Sequence, residues 1–263
     1  MHKLIFPALL LASLGFAPAS HAQKLQLVSD RQINEMGVKA FEEMKAKGKL
    51  SQDPKKREMA ECIVKSLVTP LGQQLGPGGW EVQVFESPEP NAFALPGGKI
   101  GIYTGMFDLV KSQDEMAAVV GHEIAHVARG HSKKRVERQL KTQLGLSLLG
   151  ALAGSRTTEN KTRMITQGAS LLTQGAYLLP NSREQESEAD LDGQIIMSKA
   201  GYDPMGAVSL WQRMQALNKT QPPQFLSTHP NSALRIQSLS QRAPSLVKEQ
   251  QAARLAGRKP KCF

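Results

Sequence analysis

Residues 121–131, Gly-His-Glu-Ile-Ala-His-Val-Ala-Arg-Gly-His, carry side chains whose types and spacing could do chemistry. His122 and His126 stand four residues apart. On an α-helix that is about 40° around the axis, so both imidazoles leave one face a turn apart, as two ligands of one metal must. Glu123, about 100° from His122, reaches the edge of the same site without filling a ligand position, which suits a general base. Without a metal, these ionisable groups in a Val-, Ile- and Ala-rich helix would cost stability. The pattern points to a zinc peptidase site, and such a site needs a third protein ligand and an open position for water. His131 is a poor third ligand. It follows His122 by nine residues, about 180° around a continuous helix, and so falls on the opposite face. The Gly and His that a metzincin would place after its second ligand are here Arg129 and Ser132. His131 is therefore expected at the surface or in a structural role.

Residues 181–190, Asn-Ser-Arg-Glu-Gln-Glu-Ser-Glu-Ala-Asp, offer the missing ligand. Ser182 with Gln185 forms a capping-box pattern, which puts the acidic residues on the first turns of a helix. Glu186 and Asp190 share a face, so one can bind metal while the other accepts a hydrogen bond from the outer nitrogen of a ligating histidine. Spacing alone leaves Glu184 with Glu188 open as the alternative.

The elements that must position these groups follow from periodicity. Apolar residues from Ser29 to Gly48 recur at three- and four-residue steps, a helix, and Asp53-Pro54 opens a second helix carrying Cys62. Trp80 to Glu86 alternates with period two, and two further strand candidates flank Leu95-Pro-Gly-Gly98. Ser112 and Glu115 form a capping-box pattern at the start of the metal helix. After Met106 the chain reads as mainly helical. The expected class is α+β, a mainly helical domain with a small antiparallel sheet. An apolar run at 143–154 and a second at 169–179 are each too short to span a bilayer and read as core helices or a buried helical hairpin, the alternative being an interfacial element that docks on lipid, with a loop or lid at 155–167 between them.

Of the 263 residues, 33 are Lys or Arg and 23 Asp or Glu, a formal charge of +10. That favours anionic surroundings. Only 5% are aromatic, and no basic cluster is interleaved with aromatic rings, which argues against nucleic acid as a partner. Basic residues concentrate at Arg129, Lys133, Lys134, Arg135, Arg138 and Lys141, so peripheral contact with anionic lipid or envelope polymer is expected. A basic start, an apolar stretch from Leu4 to Ala17 and Ser20-His-Ala22 read as a secretory signal peptide, residues 1–22, cleaved to leave one catalytic domain, residues 23–263. Cys62 and Cys262, the only cysteines, would then enter an oxidising compartment and are expected to pair.

In their order along the chain these motifs resemble the zinc metallopeptidase family of the CAAX prenyl protease, HtpX and BepA. The resemblance looks nearest to the soluble periplasmic LoiP-type branch, and it spans roughly Trp80 to Leu239. Asn91 to Gly105 resembles the family's strand-turn-strand, His122 to His126 its metal motif, and Glu186 to Asp190 its Glu-x-x-x-Asp motif. Thr228-His-Pro-Asn-Ser-Ala-Leu-Arg235 is similar to a segment of the soluble members in which a His and an Arg face the active site. The resemblance implies a zincin-type domain and one zinc per chain held by His122, His126 and Glu186, with Asp190 behind a ligand. Glu123 would be the base, and His229, aided by Arg235, would stabilise the oxyanion. The strand beginning at Asn91 and Ala92 would align an extended substrate by main-chain hydrogen bonds, favouring unfolded chains of little side-chain specificity. The expected activity is that of an exported, periplasmic zinc endopeptidase that degrades misfolded envelope proteins. The alternative is a chaperone or assembly factor for outer-membrane proteins that cuts rarely. A further expectation is that His229 occupies the open zinc position at rest.

Overall fold

A computed structural model describes residues 27–73, 76, 78–152, 180–217, 224–230 and 233–263, with backbone alone at 143–152 and at 224. The expected signal peptide, the loop or lid at 155–167 and the apolar run at 169–179 lie outside the described residues.

Helix α1 (Asp30–Lys47) is opened by a reciprocal capping box between Ser29 and Gln32 and closed at Gly48, and it buries Ile33, Ala40 and Phe41. Helix α2 (Pro54–Val68) starts on the Asp53 carboxylate, with Pro54 in the first turn, where the missing N–H costs nothing. Three strands follow: β1 (Glu81–Phe85), β2 (Ala92–Leu95) and β3 (Lys99–Tyr103). The α+β class holds, but the sheet is mixed rather than wholly antiparallel. Its order is β1-β3-β2, with β1 parallel and β2 antiparallel to β3. The reason is topological: residues 86–91 carry the chain one place beyond β1's neighbour, and the turn at Pro96-Gly97-Gly98 brings β3 back between. Gly97 and Gly98 take positive φ there, at 82° and 71°. The result matters for the site, because β2 is left at an edge beside the metal helix.

Helices α3 (Thr104–Leu109), α4 (Gln113–Ala128), α5 (His131–Leu152), α6 (Arg183–Lys199), α7 (Met205–Leu217), α8 (Gln224–Thr228) and α9 (Ala233–Leu255) complete the described chain. Half of the capping box expected at α4 forms. The Ser112 hydroxyl accepts from the Glu115 N–H, while the Glu115 carboxylate accepts from the Lys111 N–H and from Arg213 instead. One large apolar core joins α2, the sheet, α4, α6 and α7; a smaller one lies under α1, around Phe41, Phe85, Phe93 and Leu95. No helix among the described residues is long and apolar enough to cross a membrane.

Cys62 on α2 and Cys262 form a disulfide that spans 200 residues of sequence, with Cα atoms 5.5 Å apart. The C-terminal strand of chain is further tied to the start of α4, where the Gln113 amide donates to the Pro260 carbonyl and accepts from the Cys262 N–H. The root of the metal helix is thus anchored to the last residues described.

Part of the basic cluster is ion-paired where it stands. Arg129 pairs with Asp192 and Glu188, Lys133 with Asp30, and Arg135 is turned inward to Asn181 and Ser132. Lys134, Arg138 and Lys141 remain exposed.

Candidate metal centre

Two helices build the site. Helix α4 is buried continuously from Glu115 to His126, and α6 crosses it so closely that a Cβ on Gly193 would stand 2.8 Å from the His122 backbone nitrogen. Only a residue without a side chain fits that crossing. The approach brings the first turns of α6, capped reciprocally by Ser182 and Gln185, against the two histidines.

Four ligand atoms converge: His122 Nε2, His126 Nε2, a Glu186 carboxylate oxygen and His229 Nδ1. His122 Nε2 lies 3.0 Å from His126 Nε2, 3.1 Å from His229 Nδ1 and 3.4 Å from Glu186 Oε2. Glu186 Oε1 is 3.3 Å from His126 Nε2 and 3.2 Å from His229 Nδ1. Donors around one tetrahedral zinc at bond lengths near 2.0–2.1 Å are separated by about 3.3 Å, so the spacing is that of a zinc site. Glu186 is wholly buried; its Oε1 faces His126 and His229, while its Oε2 has the Arg235 guanidinium at 2.9 Å as an ion-pair partner, so the carboxylate is held ionised among the imidazole nitrogens. The donor set, imidazole nitrogen with one carboxylate, fits zinc.

Electrostatics prepare the ligands. Burial favours the neutral acid, yet His229 and hydrogen bonds from His122, His126 and His229 hold the Glu186 carboxyl well below its ordinary value. Burial lowers the His126 imidazole well below its usual range, which keeps it neutral. At His122 burial also works downward, but hydrogen bonding to Asp190 and Glu186 prevails and raises the imidazole to about 9. Zinc must therefore displace a proton from His122 at neutral pH.

Each expected residue can now be placed. Asp190 Oδ1 lies 3.1 Å from His122 Nδ1, a short but bent contact on the side of the ring away from the cluster. Arg235 does not face the open side of the cluster. It grips Asp190 through Nε at 2.6 Å and Nη2 at 2.8 Å, reaches Glu186 Oε2 at 2.9 Å, donates to the Pro230 carbonyl and stacks 4.0 Å above the Trp211 ring. These partners place it behind the ligands, where it holds both carboxylates, rather than where an oxyanion would form. Glu123 is buried beside the cluster. Its Oε2 accepts the Ala94 N–H at 3.0 Å, and Oε1 lies 3.2 Å from His229 Nε2. Burial, above all, raises its carboxyl, toward what a general base requires. His229 thus bridges the donor cluster and Glu123, with its ring stacked on Phe225 at 4.3 Å.

On β2 the two expected substrate contacts separate. The Asn91 carbonyl accepts the Tyr103 N–H and so faces β3, which sets the alternation: Ala92 and Ala94 direct their main-chain groups to the outer edge. Both Asn91 and Ala92, with Glu123, His229, Asn181 and Arg135, line a small cavity of about 20 Å³ over the cluster, enough for about one water.

His131 stays outside the donor cluster and takes the structural alternative rather than the surface one, but a continuous helix is not the reason. Helix α4 ends at Ala128, and Gly130 takes a left-handed conformation, φ 63°, that turns the chain into α5. His131 consequently folds back, fully buried, with Nδ1 2.7 Å from His126 Nδ1 and Nε2 2.9 Å from Glu188 Oε2. The available signal was Gly130 itself, a helix-ending glycine one residue before the histidine. Sequence reasoning missed Asn181. Its amide nitrogen lies 3.5 Å from His126 Nε2, from His229 Nδ1 and from the Thr228 carbonyl, and Arg135 donates to its oxygen.

Comparison with known proteins agrees with this geometry. The profile of peptidase family M48 matches residues 54–243. The mitochondrial metalloendopeptidase OMA1 of Schizosaccharomyces pombe is 36% identical over 63% of the chain and 47% of its own length. Metalloprotease LoiP of Escherichia coli is 27% identical over 82% of both chains. The beta-barrel assembly-enhancing protease of Yersinia pestis is 26% identical over 79% of the chain and 43% of its own. The chain spans about half the length of the fungal relatives it matches.

Proposed function

Because the chain belongs to peptidase family M48, we propose that it is a zinc-dependent metalloendopeptidase that cleaves unfolded polypeptides. The observation that carries this reading is the convergence of His122, His126 and Glu186 beside a buried Glu123. His122 and His126 would hold zinc through Nε2 and Glu186 through a carboxylate oxygen. Zinc, when bound, supplies a Lewis acid for the peptide carbonyl and eases ionisation of the attacking water.

The chain's own residues do the rest. Glu123 takes the proton of the attacking water at Oε1 and returns it to the leaving amine nitrogen, while the Ala94 N–H holds Oε2 in place. His229 donates to the oxygen that becomes negative as the carbonyl is attacked. Asp190 and Arg235 act from behind, orienting His122 and Glu186. The outer edge of β2 at Ala92 pairs with the substrate main chain, which would make recognition depend on an extended backbone rather than on side chains. Zinc analysis combined with casein cleavage tests the reading. Wild type should hold one zinc and cleave; Glu123→Gln should hold zinc and not cleave. Stoichiometric zinc with undiminished cleavage by Glu123→Gln would refute the role of the base.

A second reading is favoured by one observation. His229 Nδ1 stands among the metal donors, 3.1 Å from His122 Nε2 and 3.2 Å from Glu186 Oε1, in the corner that water must occupy. We infer a resting state in which His229 blocks the site and withdraws for turnover. A protein so restrained would cut rarely and could serve chiefly as a chaperone or assembly factor for outer-membrane proteins. Complementation of a deletion strain by Glu123→Gln would support that role.

The site of action is proposed as the periplasm. Support comes from the leader-like residues 1–22, from the disulfide, which suits an oxidising compartment, and from the similarity to metalloprotease LoiP and to the beta-barrel assembly-enhancing protease. On this reading residues 23–263 form one catalytic domain, and its clients are damaged envelope proteins. Any contact with anionic lipid would fall to the exposed Lys134, Arg138 and Lys141.

A further inference from the structure

We propose that His131 and Glu188 are positioning residues for the metal site, fixing the tautomer and ring orientation in which His126 presents Nε2 to zinc. The proposal rests on the assignment of zinc to His122, His126 and Glu186.

His126 Nε2 lies in the donor cluster, 3.0 Å from His122 Nε2 and 3.3 Å from Glu186 Oε1. A neutral imidazole that offers one nitrogen lone pair to a metal carries its proton on the other nitrogen. Nδ1 of His126 is then the donor, and its neighbour at 2.7 Å is Nδ1 of His131. If that atom accepts, the proton of His131 must sit on Nε2, which is 2.9 Å from Glu188 Oε2. An ionised carboxylate can only accept, so it closes the series and sets the direction of both bonds.

Burial makes the arrangement selective. His131 has no exposed surface, so neither of its nitrogens has bulk water as an alternative partner. Glu188 is held in turn by Arg129 Nη1 at 3.4 Å and lies 4.0 Å from Lys134 Nζ. The site thus supports its two motif histidines differently: His122 directly by Asp190, His126 through a second imidazole. The interposed ring orients His126 without setting another carboxylate against a site that already contains Glu123, Glu186 and Asp190.

The test is zinc affinity by chelator competition, together with the visible absorption of the cobalt-substituted protein, in His131→Leu, His131→Asn and Glu188→Ala. Asn keeps a hydrogen-bonding atom near the place of Nδ1, and Leu does not. Loss of an outer hydrogen bond of this kind typically weakens metal binding about 10–100-fold, so His131→Leu is expected to bind zinc about 10-fold more weakly and to alter the cobalt spectrum. His131→Asn should stay within about threefold of wild type, and Glu188→Ala should fall between the two. Unchanged affinity in His131→Leu, or an equal loss in His131→Asn, overturns the proposal. A wild type that takes up no zinc overturns the zinc assignment and this proposal with it. If His131→Leu fails to fold, Glu188→Ala carries the test, since its carboxylate is about a third exposed: unchanged affinity there overturns the proposal.

Discussion

Two sides of the donor cluster are built by different means. His122, His126 and Glu186 project from α4 and α6, whose backbones touch at Gly121 and Gly193, so the relative placement of these donors is a property of helix packing. His229 arrives from the opposite side, at the end of the five-residue helix α8. It is held by its backbone bond to the Phe225 carbonyl, by the stack on Phe225 and by the bond from the Asn181 N–H to the preceding Thr228 carbonyl. Close-packed helices resist small displacements, because interiors have little free volume. A short segment held by a few local contacts opens at lower cost. On the proposed mechanism, permanent ligation belongs to the first side and exchange with water to the second.

The comparison can be broken at several points. The largest expected effect is that of Glu123→Gln, which should lower kcat by about 10³-fold while zinc content stays at one per chain. The same residue makes a pH prediction. Activity requires ionised Glu123, and burial raises its carboxyl, so the acidic limb of kcat/KM should lie above the ordinary glutamate range. Activity is present above the raised value and is lost as pH falls through it. On the side built by α8, His229→Ala should reduce kcat by about 10²-fold yet leave zinc affinity within about threefold, and should admit azide to the cobalt-substituted site. A large loss of zinc in that variant would make His229 a permanent ligand and erase the distinction.

Gly193→Ala addresses the packed side. A Cβ placed 2.8–2.9 Å from the His122 backbone forces the helices apart, and destabilisation by about 2 kcal/mol is expected in thermal unfolding, with weakened zinc binding. An unchanged melting temperature and affinity would show that the crossing tolerates movement. The smallest effect should come from Asp190→Asn, which retains shape but loses the charge that Arg235 and His122 share. Zinc affinity by chelator competition should fall about 10-fold.

How far the sequence could be read differs between these sides. That His122 and His126 share a face with Glu123 at its edge follows from helical geometry alone. For α6, periodicity admitted both Glu186 with Asp190 and Glu184 with Glu188. The structure employs three of the four carboxylates: Glu186 at the cluster, Asp190 behind His122 and Glu188 on His131. Helical spacing left His131 between a surface and a structural place; the left-handed Gly130 ends α4 and turns His131 inward, which selects the structural one. Arg235 was read as an aid to the oxyanion, whereas its bonds run to Asp190, Glu186 and Pro230. In the basic cluster after α4, Arg129 and Lys133 stand against Asp192, Glu188 and Asp30, while Lys134, Arg138 and Lys141 stay exposed.

Local chemistry was therefore within reach of the sequence by itself: the metal motif, the helix starts at Ser29, Asp53 and Ser182, the strand-turn-strand and the pairing of two lone cysteines. Each depends on residues a few positions apart, or on a count, and backbone geometry relates such residues directly. Tertiary structure alone decided that β3 lies between β1 and β2, that Asn91 faces inward and Ala92 outward, that His229 enters the donor cluster and that His131 backs His126. These are contacts between residues brought together by turns and crossings. No periodicity encodes them, because the direction of a side chain after a turn is set by the surfaces it must pack against.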